Sequence, residues 1–281
     1  MSSRPGRPLI GVYPTLGASD VLGRRGAAPG PFPFSETGLR LTHLGRGAVW
    51  LALQALGLGP GRRLAMPSFH CGAEVDAARL AGVEVVFYRV APSLEVDEDD
   101  LAKVAAGADA VYLISHFGFP LPARPPNVLV IEDVAHGMFS DGGDGRPLGT
   151  GADAAVFCPR KSLGVPDGGA VLVAEGMAPP LRPSGRPPAR GVVRSTVSLL
   201  AGRAALSGHA AIREPAVAGL AKVSRADAAA AEGRLTEAVI GEWGMEVADV
   251  ERAARRPSRI TERIVAGLDG AGVARIRDRR R

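Results

Sequence analysis

Residues 128–137, VLVIEDVAHG, and 153–175, DAAVFCPRKSLGVPDGGAVLVAE, decide how the rest of the chain is read. Val128 to Ile131 is a short apolar, β-branched run ending in Glu132-Asp133, the pattern of a buried strand that delivers a carboxylate at its C-terminal end. Open α/β sheets bind ligands at that edge. A second apolar run, Ala154 to Cys158, leads into Pro159-Arg160-Lys161, and a third, Ala170 to Ala174, follows Gly168 and Gly169. Lys161 therefore falls on a tight connection between two strands. A connection that short makes the strand at 170–174 antiparallel to the one before it.

An acid at one strand end and a lysine on a neighbouring loop suit pyridoxal phosphate chemistry. A lysine amine holds an aldehyde as a Schiff base, and a buried carboxylate keeps a pyridine nitrogen protonated so that the ring draws electrons. The plainer reading is a surface lysine and a loop-capping acid, and the spacing of the pair does not separate the two. Composition bears on the choice: the chain has three lysines, Lys103, Lys161 and Lys222, among 34 basic residues. Arginine cannot deprotonate to form an imine, so a lysine facing strand ends is the candidate amine.

Upstream, Val49, Leu51, Ala52, Leu53, Ala55 and Leu56 form a helical stripe closed by Gly57. Its N-terminus carries Gly45-Arg46-Gly47, where glycines let a phosphate approach the backbone amides and Arg46 adds charge; an ordinary glycine turn is the alternative. Leu64 to Met66 reads as a strand ending at Pro67, Ala73 to Ala81 as a helix, and Val83 to Val90 as a strand. A helix from the acidic stretch 96–101 through Ala106 precedes a strand over Asp109 to Ser115. His70 and His116 follow strands; His70 alone reads sooner as a satisfied structural histidine, and His116 equally as a substrate or cofactor contact or as packing under its loop.

From Phe34 to Glu175 the sequence resembles the DegT/DnrJ/StrS family of sugar aminotransferases. The matching blocks run in order: ALQALGLGPG at 52–61, MPSFHCGAEV at 66–75, LAGVEVVFYRV at 80–90, SHFGFP at 115–120, IEDVAHG at 131–137 and RKSLGVPDGGAV at 160–171. By that resemblance Lys161 is the internal-aldimine lysine, Asp133 the partner of the pyridine nitrogen, and His136 the neighbour of the phenolic oxygen. Several positions depart from the family pattern. Gly45-Arg46-Gly47 stands where members have Ser-Gly-Thr, and Cys71 stands where they stack an aromatic, with His70 as its nearest replacement. Cys158 replaces a phosphate-binding serine, which shifts the phosphate onto Arg46 and backbone amides. FGFPLPARPPN, at 117–127, has four prolines and no room for the family's helix. Members are also longer, with a small C-terminal domain.

The resemblance implies an α/β fold with a mostly parallel seven-stranded sheet between helices and a small C-terminal domain largely missing. Residues 1–40 read as an irregular surface arm, 41–175 as the cofactor-binding large domain, 176–192 as a Pro/Arg-rich linker and 193–281 as a helical region, with helices over Val192–Ile240 and Arg259–Leu268. With 46% hydrophobic and 22% charged residues the chain can bury one large core. It shows no membrane-spanning run and no secretory signal core, which makes the cytoplasm the default compartment. Two cysteines make no disulfide framework. The net charge of +5 is diffuse apart from ARIRDRRR at 274–281, which lacks aromatic interleaving, so no nucleic-acid role is read from it.

The expected function is a pyridoxal-phosphate aminotransferase acting on a keto-sugar, in the family a nucleotide-linked one, with glutamate or glutamine as amino donor. A homodimer is implied by the family, whose sites lie between subunits. Two other classes stay open: a catalytically degenerate relative serving a full-length homologue as partner, and a nucleotide-binding protein using Gly45–Gly47 as a phosphate cradle.

Overall fold

A computed structural model describes residues 14–17, 30–207, 209–219, 222 and 247–278. Seven strands form one sheet: β1 (Arg40–Thr42), β2 (Arg63–Pro67), β3 (Glu84–Tyr88), β4 (Ala110–Ile114), β5 (Leu129–Asp133), β6 (Ala154–Phe157) and β7 (Gly169–Val173). Their order across the sheet is β1-β7-β6-β5-β4-β2-β3. The five strands β2 to β6 are parallel, and β7 runs antiparallel to both β6 and β1, as the short lysine-bearing connection requires.

The pleat sends alternate side chains to opposite faces. Tyr112, Ile131, Val156 and Val171 join a core with helices α1 (Gly45–Ala55) and α2 (Ala73–Leu80). Val111, Leu113 and Val130 pack with Leu101 and Ala105 of α3 (Glu98–Ala105) on the other face. That second face continues under β6 and β7, where Ala155, Phe157 and Ala170 meet residues from the far end of the chain. The result is a helix–sheet–helix sandwich with both faces covered, as a mainly parallel sheet demands.

Between β4 and β5 the chain makes only a 3-10 turn at His116–Gly118, so the helix excluded by the four prolines is indeed absent. Past Lys161, on the short helix α4 (Pro159–Ser162), and β7, helix α5 (Ala189–Ala205) begins inside the stretch read as linker. Pro188 occupies its N-cap position, where a proline costs no helical hydrogen bond. A further helix, α6, covers residues 210–219, and the rest of the alanine-rich stretch to Ile240 lies outside the described residues apart from residue 222.

The last three helices are α7 (Val247–Ala253), α8 (Arg259–Ala266) and α9 (Gly270–Asp278). Val250 of α7 enters the α1 core on one face, while Val265 of α8 and Val273 of α9 enter the core on the other. The chain between α7 and α8 therefore wraps around the sheet. It passes the turn after β1, where the His43 and Leu44 amides donate to the carbonyls of Arg255 and Ala253.

The surface-arm expectation for residues 1–40 needs correction at one point: Leu16 is 0% exposed. The Thr15 carbonyl lies so near Gly164 that any side chain there would collide with it, at 2.3 Å from an added Cβ. The segment 14–17 is thus packed against the lysine loop because an apolar side chain finds a dry site there.

Candidate active site

Parallel strands that end together bring residues far apart in sequence to one edge. In the β4–β5 register Ile114 pairs with Asp133, and in the β5–β6 register Asp133 pairs with Val156. His116 lies two residues beyond β4, Asp133 closes β5, Lys161 lies four residues beyond β6, and His70 and Cys71 follow β2. All face the carboxyl end of the same sheet.

There Lys161 Nζ lies 2.9 Å from His136 Nε2. Burial, together with Lys161 and His116, lowers the His136 pKa, so the ring is neutral at neutral pH and Nε2 accepts from the lysine. The proton then sits on Nδ1, which is enclosed and has no partner in the bare chain. Asp133 Oδ2 accepts the Tyr112 hydroxyl at 2.8 Å and Oδ1 accepts the Ala135 amide at 2.8 Å. Burial raises the Asp133 pKa; those two hydrogen bonds oppose the rise, Glu74 adds to it, and Lys161 opposes it.

His116 is buried and joins the same group, with its ring centroid 6.4 Å from that of His136 and 5.3 Å from that of Phe69. Burial lowers its pKa as well. Phe117 stacks on His136 at 5.5 Å and 19°. It does so from a left-handed backbone (φ 55°), a conformation that costs a bulky residue roughly 1–2 kcal/mol. Phe69, Phe117 and Phe119 are 54%, 70% and 67% exposed, so the rim of the site is aromatic and open.

Several sequence expectations are corrected here. His70 does not take the place of a stacking aromatic over the site: its ring lies flat on Phe87 (5.4 Å, 11°) and its Nδ1 accepts the Gly72 amide. Gly45, Arg46 and Gly47 form the first turn of α1, at the helix N-terminus where the sequence put them, but Gly47 does not serve as read. The Gly47 amide already donates to the Leu44 carbonyl, and the missing side chain makes room for the α7 backbone, since a Cβ would lie 2.2 Å from Ala253. Gly47 is a packing glycine, not a phosphate donor.

Gly45 and Arg46 open the N-terminal turn of α1. Gly45 faces Cys158, whose thiol donates to the Gly168 carbonyl at 3.6 Å. Burial lowers the Arg46 pKa, Asp249 opposes, and Arg160 and Arg252 push it further down. Its Nε is enclosed without a partner. Arg46 thus lies at the α1 N-terminus among two carboxylates, Asp249 and Asp76, and two other guanidiniums.

Cys71 is exposed, and it is held by a residue that sequence reasoning missed. Buried Glu74 accepts the Cys71 amide at 2.9 Å and its thiol at 2.7 Å. Burial and that carboxylate push the Cys71 pKa up to about 11. An acid in the first turn of a helix reads as a dipole partner, which hides its second role. Tyr112 was hidden similarly, as one apolar ring in the strand AVYLI.

A match to the model of the DegT/DnrJ/EryC1/StrS aminotransferase family covers residues 42–178. Over those residues the chain is similar to this family. The family's region thus runs from the end of β1 through β7 and includes Lys161, Asp133 and His136. Among curated relatives, the chain is 31% identical over 149 residues to a UDP-N-acetyl-3-dehydro-alpha-D-glucosamine 3-aminotransferase of Acidithiobacillus ferrooxidans, covering 47% of this chain and 38% of that protein. It is also 31% identical over 142 residues to a dTDP-4-dehydro-2,3,6-trideoxy-D-glucose 4-aminotransferase of Saccharopolyspora spinosa, covering 47% and 37%. The chain therefore spans well under half the length of these relatives. A solved family aminotransferase from Brucella abortus aligns at 24% identity and a TM-score of 0.41, over 49% of this chain and 42% of that one. A putative sugar aminotransferase from Streptococcus pneumoniae aligns at 16% and 0.48, over 60% and 53%. Among the described residues no helix is long and apolar enough to cross a membrane, and no cluster of side chains is fit to hold a metal ion.

Proposed function

We propose that this chain is a pyridoxal-phosphate-dependent aminotransferase acting on a keto-sugar, in the form of a nucleotide conjugate, with glutamate or glutamine as amino donor. The observation that carries the reading is the Lys161–His136 contact beside Asp133 at the carboxyl edge of the sheet. The match to the family model and the two curated sugar aminotransferases support it.

The residues present fit the cofactor. Two enclosed, unpartnered nitrogens, His136 Nδ1 and Arg46 Nε, stand where a ligand would satisfy them, and leaving such groups unpaired costs roughly 1–3 kcal/mol each. Lys161 would hold the aldehyde, Asp133 the ring nitrogen, and Arg46 with the Gly45 amide the phosphate. When bound, pyridoxal phosphate supplies a carbonyl that condenses with amines and a ring that takes up an electron pair.

Within that assignment, Lys161 Nζ is the group that moves a proton to and from the substrate carbon. A neutral His136 accepts its hydrogen bond and fixes its direction without competing for positive charge. Tyr112 and the Ala135 amide hold the Asp133 carboxylate in one orientation. The exposed rim of Phe69, Phe117 and Phe119 supports a second subunit closing over the edge, so the reading includes a homodimer.

The test is a titration of the purified chain with pyridoxal phosphate, followed by borohydride reduction and peptide mapping. The label should fall on Lys161 and vanish in Lys161→Ala, and a label on Lys103 or Lys222 would sink the assignment. Amino-donor assays then separate turnover from silent binding. Binding without turnover would favour the second reading, a catalytically degenerate partner of a full-length homologue.

A further inference from the structure

Asp167 lies six residues past Lys161, on the loop that returns to β7, and it is 1% exposed. A buried carboxylate is costly unless its oxygens are well supplied with donors. Here the supply comes almost wholly from elsewhere in the chain. Ser258 donates to it from both its amide (3.0 Å) and its hydroxyl (3.0 Å), and the Thr261 hydroxyl donates to Oδ1. His43 Nδ1 adds a contact at 3.1 Å from the turn after β1.

Ser258 is also the N-cap of α8, its hydroxyl accepting the Thr261 amide. The Ser258 hydroxyl therefore both starts the helix and holds the loop, and the Thr261 hydroxyl holds the loop beside it. Thr261 touches the loop again through its methyl group, which with Pro159 crowds Gly168 to within 3.4 Å of an added Cβ. The Gly168 amide donates to the His43 carbonyl. Below this, Leu163 and Val165 of the loop share a core with Val265 of α8. The 167–168 end of the segment thus rests on Ser258 and Thr261 at the start of α8, and its middle shares a core with the same helix.

We infer that Asp167 is a positioning residue that makes the placement of Lys161 depend on Ser258 and Thr261. The inference rests on the proposed role of Lys161 as the cofactor lysine. In it, residues after Pro257 act at the site without touching it, by fixing the loop whose first turn carries the amine. Hydrogen bonds from His43, Thr261 and Ser258 outweigh burial and keep the Asp167 pKa below the usual carboxylate range, so the latch is charged at neutral pH.

The experiment compares the full chain with Ser258→Ala/Thr261→Val by amide hydrogen exchange and by pyridoxal phosphate titration. Exchange over 159–168 should accelerate by about tenfold or more while β4 and β5 keep their rates, since each lost donor lowers local opening free energy. Cofactor affinity should fall by about tenfold, and the pH profile of Lys161 labelling should shift, neither of which lost helix capping alone would produce. Ser258→Thr, which keeps the hydroxyl, should behave as the parent chain. Should the double variant loosen the whole sheet, Ser258→Ala alone is read in its place.

Unchanged exchange over 159–168, or unchanged affinity and labelling profile with a frayed α8, overturns the inference. A parent chain that takes no label on Lys161 would instead overturn the proposed function.

Discussion

Asp133 is held by a donor, the Tyr112 hydroxyl, that itself lies in the dry interior of the sheet, with Tyr88 donating to the Tyr112 carbonyl beside it. Tyr112→Phe keeps the ring and removes the donor. It should cost about 1–3 kcal/mol in urea unfolding, the range for stranding a buried partner, and should raise the Asp133 pKa further. Pyridoxal phosphate affinity should fall with it, measured on the same protein. Of the candidate site residues, Asp133 and Lys161 were legible in the sequence because apolar runs announce strands and strand ends announce ligand edges, whereas His136 entered only through the family resemblance. Glu74 and Tyr112 were not. Their polar atoms act sideways across strands and helices, a relation that no local pattern records.

At the level of elements, α1 shows how tightly the pieces must fit. Gly47 lies against the α7 backbone with no room for a methyl group. Gly47→Ala should therefore destabilise by roughly 1–3 kcal/mol or more, as overpacking does, by displacing α7. Gly143→Ala is the control: nothing lies within 4 Å of its added Cβ and its backbone is not left-handed, so the unfolding midpoint should hardly move. Six of the seven strands, and helices α1, α2, α3 and α8, were readable from alternation, stripes and caps. Strand β1 was not, because three residues give no period; its identity comes from pairing with β7. Helices α7 and α9 also escaped notice, being seven and nine residues long with their burial decided by distant partners.

Across the whole molecule, acid acts in two windows. His116 and His136 have folded pKa values below 6.5, so the unfolded chain takes up protons that the folded chain refuses. Their share of stability is full above about 6.5 and is lost as the pH falls through the range below it. Asp167 is likewise depressed, and its share is lost only lower, below about 4. Denaturation curves taken stepwise downward from neutral pH should therefore show a first decline that His136→Gln reduces and a second that Asp167→Asn removes. The packing behind the second decline was invisible in the sequence. Asp167 and its partners Ser258 and Thr261 stand 91 and 94 residues apart, a distance over which composition and periodicity carry no contact information.

That separation also sets an order in time. A nascent chain emerges at roughly 5–20 residues per second, and its earlier parts begin to fold first. Lys161 and the strands around it leave the ribosome several seconds before Ser258 and Thr261, and over that interval the donors that hold Asp167 are not yet available. If Asp167 positions the cofactor lysine as inferred, the site is completed only once residues 258–261 are free to cross its edge.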